Sequence, residues 1–141
     1  MLQKAYDGLT EIPEVTMLVI KSGESAVIML DPNNSRRGWT FLSTKVRSEE
    51  DSFDAIRRAA REKLCLDLTG KPIKFVKCKK RNGTPFSSYT LELAPQELKT
   101  LPSRGPRGHS VRAIPIVELP NYLDRGRYDM GASNVTGIPN L

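Results

Sequence analysis

Two short runs near the start of the chain, Val15–Ile20 and Ala26–Leu30, are apolar at consecutive positions apart from Thr16. A strand with one wet face alternates apolar and polar side chains, so an apolar run without that alternation predicts a strand covered on both faces. The connection between the runs, Lys21-Ser22-Gly23-Glu24-Ser25, is short and contains a glycine, and together they read as a β-hairpin. No other feature constrains the fold as much.

The order of elements follows from local signals. Asp31-Pro32-Asn33-Asn34-Ser35 is a loop signal, and Gly38–Leu42 reads as a third short strand with Trp39 and Phe41 as core residues. The clearest helix comes next. Ser48, Asp51 and Ser52 are candidate caps, and the acids at 49, 50, 51 and 54 suit a helix N-terminus. Phe53, Ile56, Ala60 and Leu64 form a narrow apolar stripe, flanked by Ala55 and Ala59, and Leu68-Thr69-Gly70 ends the helix. Lys71–Arg81 and Thr84–Leu93 flank Asn82-Gly83, a strong signal for a two-residue hairpin turn. Pro95 opens a short helix through Leu101, and Pro102–Gly108 is a loop. Val111–Leu119 reads as the last strand, which Pro115 confines to an edge or a bulge, and Asn121–Arg125 as a short final helix. A length of 141 residues suits one domain, read here as 1–125, with 126–141 a polar, glycine-rich C-terminal tail to which no structure is assigned.

Composition excludes several classes. With 38% hydrophobic and 27% charged residues the chain is globular, and no apolar run approaches the ~20 residues of a membrane span. Met1–Val15 is polar and contains acids, unlike a secretory signal or a transit peptide. Cys65 and Cys78 are too few for a disulfide framework or a zinc site, and they read as free thiols in a reducing intracellular compartment: cytoplasm, nucleus or mitochondrial matrix. Cys78 reads as a buried, inert thiol, and His109, the single histidine, as exposed in its Pro/Gly loop. Lys and Arg number 22 against 16 Asp and Glu, a net +6 that favours an anionic partner.

The segment Gly38–Leu66 resembles the Nudix family, whose signature is G-x5-E-x7-R-E-U-x-E-E-x-G-U with U aliphatic. That spacing falls on Thr44, Glu50, Arg58, Ala59, Ala60, Arg61, Glu62, Lys63, Leu64, Cys65 and Leu66, of which Glu50, Arg58, Glu62 and Leu66 match. Trp39-Thr40-Phe41-Leu42 is similar to the W-x-F-P that precedes the signature in many members. The resemblance implies an α+β fold, an αβα sandwich on a mixed β-sheet. It also implies that glutamates at 59, 62 and 63 would hold divalent metal, since positions i, i+3 and i+4 gather on one helix ridge. Ala59 offers no oxygen there and Lys63 carries the opposite charge, so Glu50 and Glu62 are the residual metal candidates.

The resemblance places the family's substrate cleft beside the loop before the helix and the helix face, where Lys45, Arg47, Arg57, Arg58, Arg61 and Lys63 become candidate ligand-binding residues. The expectation is a catalytically degenerate, basic Nudix-fold domain that binds RNA or a phosphorylated nucleotide within a larger protein complex, with no membrane role and no cofactor. Enzyme activity is left open. The alternatives are a diverged, magnesium-dependent nucleoside-diphosphate-X pyrophosphohydrolase, and a protein-interaction scaffold.

Overall fold

The computed structural model describes residues 14–81 and 83–136. Its strands are β1 (Val15–Ser22), β2 (Ser25–Leu30), β3 (Leu42–Lys45), β4 (Ile73–Arg81), β5 (Thr84–Glu92) and β6 (Ser110–Pro115). Its helices are α1 (Ser52–Leu64), α2 (Pro95–Leu98), α3 (Leu119–Tyr122) and α4 (Arg125–Thr136). The expected hairpin of β1 and β2 is closed by Gly23 and Glu24 alone, because Ser22 already pairs with Ser25.

The strands form one mixed sheet of order β4-β5-β1-β2-β6, with β3 also on β1. β5 runs parallel to β1 from Val15↔Phe86 to Lys21↔Glu92. On the other side β3 takes the first half of β1, from Val15↔Lys45 to Leu18↔Leu42, and β2 takes the end. Pro115 lies on the edge strand β6, where a sheet tolerates a residue without an N–H.

Successive residues of β1 point to opposite faces, and both faces are covered. Leu18 and Ile20 join Ile56, Ala59, Ala60 and Leu64 of α1 in one core. Met17 and Val19 join Phe41, Leu119 and Leu123 in a second core, against which Tyr128 and Met130 of α4 pack. The apolar run therefore has its physical cause: α1 lies on one side of the sheet, α3 and α4 on the other. This is the expected α+β sandwich.

Several expectations are corrected. The third strand is Leu42–Lys45; Thr40 makes only an isolated bridge to Met29, and Gly38 turns the chain with φ +74°. The strand begins where β1 offers a free side. Helix α1 buries Ala55 and Ala59 and leaves Phe53 38% exposed, because small side chains let the helix lie close to the sheet. It ends at Cys65, before Leu68-Thr69-Gly70, with Cys65 in the left-handed region at φ 55°. Cys65 N–H reaches Arg61 O, the single bond of an αL cap, and Leu66 N–H reaches Ala60 O. Cys78 is exposed. In the Asn82-Gly83 turn, Asn82 lies outside the described residues; Gly83 has φ +82°.

The largest correction is at the C-terminus. The stretch read as an unstructured tail from 126 is helical to Thr136. Helix α4 docks through a glycine and an amide. A Cβ on Gly131 would collide with the ring of Phe41, so only glycine allows this approach. Buried Asn134 donates through Nδ2 to Ser88 Oγ (2.7 Å), Thr90 Oγ1 (3.0 Å) and Tyr89 O (3.2 Å).

Candidate functional site

The site forms where the loop after β3, one ridge of α1 and the loop before β6 meet. Asp51 caps α1: its carboxylate accepts from Asp54 N–H at 2.8 Å, while Asp54 accepts from Asp51 N–H at 3.3 Å. That capping box fixes the first turn of the helix beside Glu50.

Glu50 and Arg58 form a two-point clasp, Nε to Oε2 at 2.7 Å and Nη2 to Oε1 at 2.9 Å. Arg47 N–H also donates to Glu50 Oε1 (3.0 Å), and Arg58 Nη2 reaches Lys45 O (3.0 Å). The Arg58 hydrogen bonds hold the Glu50 carboxyl well below its ordinary value, at about 2. One turn along the helix Glu62 is shared, 3.5 Å from Arg58 Nη1 and 3.2 Å from Arg107 Nη2. Lys63 Nζ donates to Ser43 O at 2.8 Å. Burial, reinforced by Arg107 and Arg58, pushes the Lys63 ammonium below its usual pKa.

Arg58, Glu62 and Lys63 line a cleft of 410 Å³ together with Lys45, Arg47 and Arg107, and Glu50 is not part of its wall. Of the candidates read from sequence, Lys45, Arg47, Arg58 and Lys63 meet here. Arg57 and Arg61 do not line the cleft: Arg57 reaches Thr69 Oγ1 (3.4 Å) and Arg61 is exposed. Helical geometry explains the split, since the ridge of 58 and 62 lies off the face of 57 and 61.

Sequence reasoning missed Arg107 as a site residue and misplaced His109. Arg107 comes from the loop before β6, whose only local signal was its Pro, Gly and Arg content. His109 is half-buried, and with Asp31, Thr40, Ser43 and Lys63 it lines a cavity of 80 Å³ behind Lys63. Its Nδ1 is buried without a hydrogen-bond partner. Burial, then the Lys63 charge, pushes the His109 pKa below its usual value.

The divalent metal that the signature implies finds no suitable donor set. Ala59 is fully buried, Lys63 brings an ammonium, and both oxygens of Glu50 are held by Arg58. Among the described residues no group of three His, Cys, Asp or Glu side chains is placed to hold a metal. Glu62 alone, 27% exposed and contacted by two guanidiniums, does not supply the several oxygens magnesium takes. The cleft is instead rich in cationic donors. No described helix is long and apolar enough to cross a membrane.

No protein-family model matches the sequence, and no curated protein matches it. Solved structures do. A MutT from work on the Aliivibrio salmonicida and Vibrio cholerae proteins superposes with TM-score 0.71 at 15% identity, covering 91% of this chain and 100% of its own. The C-terminal domain of mouse MUTYH, solved in complex with human PCNA, gives 0.66 at 14% identity over 92% and 91%. A Caenorhabditis elegans Ap4A hydrolase gives 0.61 at 14% identity over 86% and 91%. At such low identity the likeness is one of architecture, and that architecture agrees with the resemblance read from residues 38–66: the chain has the Nudix fold.

Proposed function

We propose that this Nudix-fold domain binds RNA or a phosphorylated nucleotide in the cleft beside α1, as part of a larger complex, and does not hydrolyse it. The observation that carries the reading is the ridge of α1, where Ala59 is a buried methyl and the Lys63 ammonium is tied to Ser43 O. Phosphate oxygens would meet Arg47, Lys63 and Arg107 there and form charge-assisted hydrogen bonds. An ammonium holds an anion, but it does not acidify a bound water as a divalent ion does. Binding without turnover follows from that difference. The PCNA-bound MUTYH domain supports the expectation of a protein partner on this architecture.

The test pairs binding with turnover. Titration with ADP and with a 5′-phosphorylated RNA oligonucleotide should give affinities that fall with salt, each phosphate contact adding about 0.7–0.9 to the log–log slope. Lys63→Glu should weaken phosphate binding by roughly 1–3 kcal/mol, the scale of a charge-assisted contact. With magnesium, turnover of capped RNA, dinucleoside polyphosphates or ADP-ribose should stay below about 0.1 per second, against roughly 1–1000 for working enzymes. Faster turnover, abolished by Glu62→Gln, would return the protein to the pyrophosphohydrolases. Absence of binding even at low ionic strength would favour the scaffold.

A further inference from the structure

Four large apolar side chains are exposed among the described residues, Phe53, Phe75, Val76 and Val117, and the first three belong to one stretch of surface. Phe53 and Phe75 both lie against Tyr89, with ring centroids 6.0 and 5.4 Å from it. Tyr89 is buried and its hydroxyl shares a hydrogen bond with Ser52, so the two outer rings stand on a fixed one. Val76 is the residue that a bulge inserts in β4, between the pairs Phe75↔Tyr89 and Lys77↔Ser88. Single exposed apolar residues are ordinary, whereas a contiguous patch marks a contact surface. None of these residues lines the cleft.

The patch borders an open sheet edge. β4 is the outermost strand, paired with β5 on one side, and its other side meets no strand among the described residues. Such an edge is a template for one more strand. Charge selects which strand it accepts. The nine residues of β4 include Lys74, Lys77, Lys79, Lys80 and Arg81 and no acid. Edge lysines and a bulge deter edge-to-edge pairing with a second copy, because like charges set opposite one another destabilise a ladder. The same lysines attract an acidic strand. The register also sorts two chemistries onto opposite faces. Lys74 and Lys77 pair with Thr90 and Ser88, on the face where Asn134 of α4 bonds those hydroxyls, while Phe75 pairs with Tyr89 on the α1 face. A strand alternating acidic and apolar side chains matches both faces at once. A nucleic acid would use the cations but not the open backbone edge.

We propose that the outer edge of β4 docks an extended acidic segment of a partner protein, its acids along Lys74 and Lys77 and its apolar side chains on Phe75 and Phe53. The proposal rests on the reading that places this domain in a larger complex, and not on what the cleft binds. Amide NMR shifts of the isotope-labelled protein should be followed during titration with a peptide of about eight residues alternating glutamate and valine around one phenylalanine. The shifts should gather on β4 and β5. Lysine in place of glutamate should abolish them, and N-methylation of every peptide amide should weaken binding at least about ten-fold. Phe75→Ser and Lys74→Glu, both at exposed positions, should each weaken binding about three- to ten-fold. If either variant does not fold, the lysine and N-methylated peptides decide the question on the unaltered protein. Absence of shifts at about 1 mM peptide, shifts gathered away from β4, or equal binding of the N-methylated peptide overturns the docking edge. An oligouridylate that moves the β4 amides at lower concentration than the peptide gives the surface to nucleic acid, and shifts that follow protein concentration alone give it to a second copy; either overturns the proposal. Pyrophosphate titrated into Phe75→Ser should bind as it does to the unaltered protein, so failure of the edge leaves the cleft standing. Failure of pyrophosphate to bind either protein removes the anion site and leaves the edge to the peptide result.

Discussion

The two ends of α1 carry charged residues of the same short signature, yet they differ in how those charges are balanced. At the N-terminal end the carboxylates are satisfied locally: Asp51 and Asp54 each accept the other's backbone N–H, and Glu50 accepts from the Arg58 guanidinium and the Arg47 N–H. At the C-terminal end cations outnumber acids. Lys63, Arg107 and Arg58 surround Glu62, Asp31 is the other carboxylate near Lys63, and the Arg107 side chain is 54% exposed. Charges that pair internally serve the fold; charges left in excess beside a cleft are available to an anion. One half of the signature works as a clasp and the other as a cationic wall.

The strongest way to break this contrast is to remove one arginine from each end. Arg58→Ala strips Glu50 of both its side-chain hydrogen bonds and frees Lys45 O, and should cost about 2–3 kcal/mol in chemical denaturation. Arg107→Ala removes a largely exposed pair and should cost less than about 0.5 kcal/mol in stability while weakening phosphate binding. Equal losses of stability from the two would end the distinction.

Acid gives the next largest effect. The Glu50 carboxyl lies at about 2 in the folded chain against an ordinary 4.5. Its contribution is therefore complete above about pH 4.5 and lost as pH falls toward 2, on the order of 1–2 kcal/mol. Urea midpoints measured across that window should drop less in Glu50→Gln than in the unaltered protein.

The smallest effect sharpens the C-terminal end. Cys65 adopts a left-handed conformation at φ 55°, which favours glycine, and it stands at the glycine position of the signature. Relief of that strain, offset by the greater unfolded-state freedom of glycine, should make Cys65→Gly about 0.5 kcal/mol more stable by denaturant midpoint. A destabilised variant would mean that the cysteine contributes packing that offsets its backbone conformation.

The sequence by itself determined whatever depends on near neighbours along the chain. The apolar runs at 15–20 and 26–30 specified a sheet covered on both faces, Asp51 marked the start of α1, and the 82–83 turn joined β4 to β5. The spacing of residues 44–66 also exposed the loss of carboxylates at 59 and 63. Tertiary structure alone decided the rest. Helix α4 has little apolar periodicity to read, because what docks it is the bare Cα of Gly131 against Phe41 and the Asn134 amide on β5. The separation of Lys45, Arg47, Arg58 and Lys63 from Arg57 and Arg61 depends on which side of α1 faces the neighbouring loops. Arg107 and His109 reach the site because a glycine contact seats their loop on the end of α1, more than forty positions away in sequence, and no local pattern encodes where two distant segments of a chain touch.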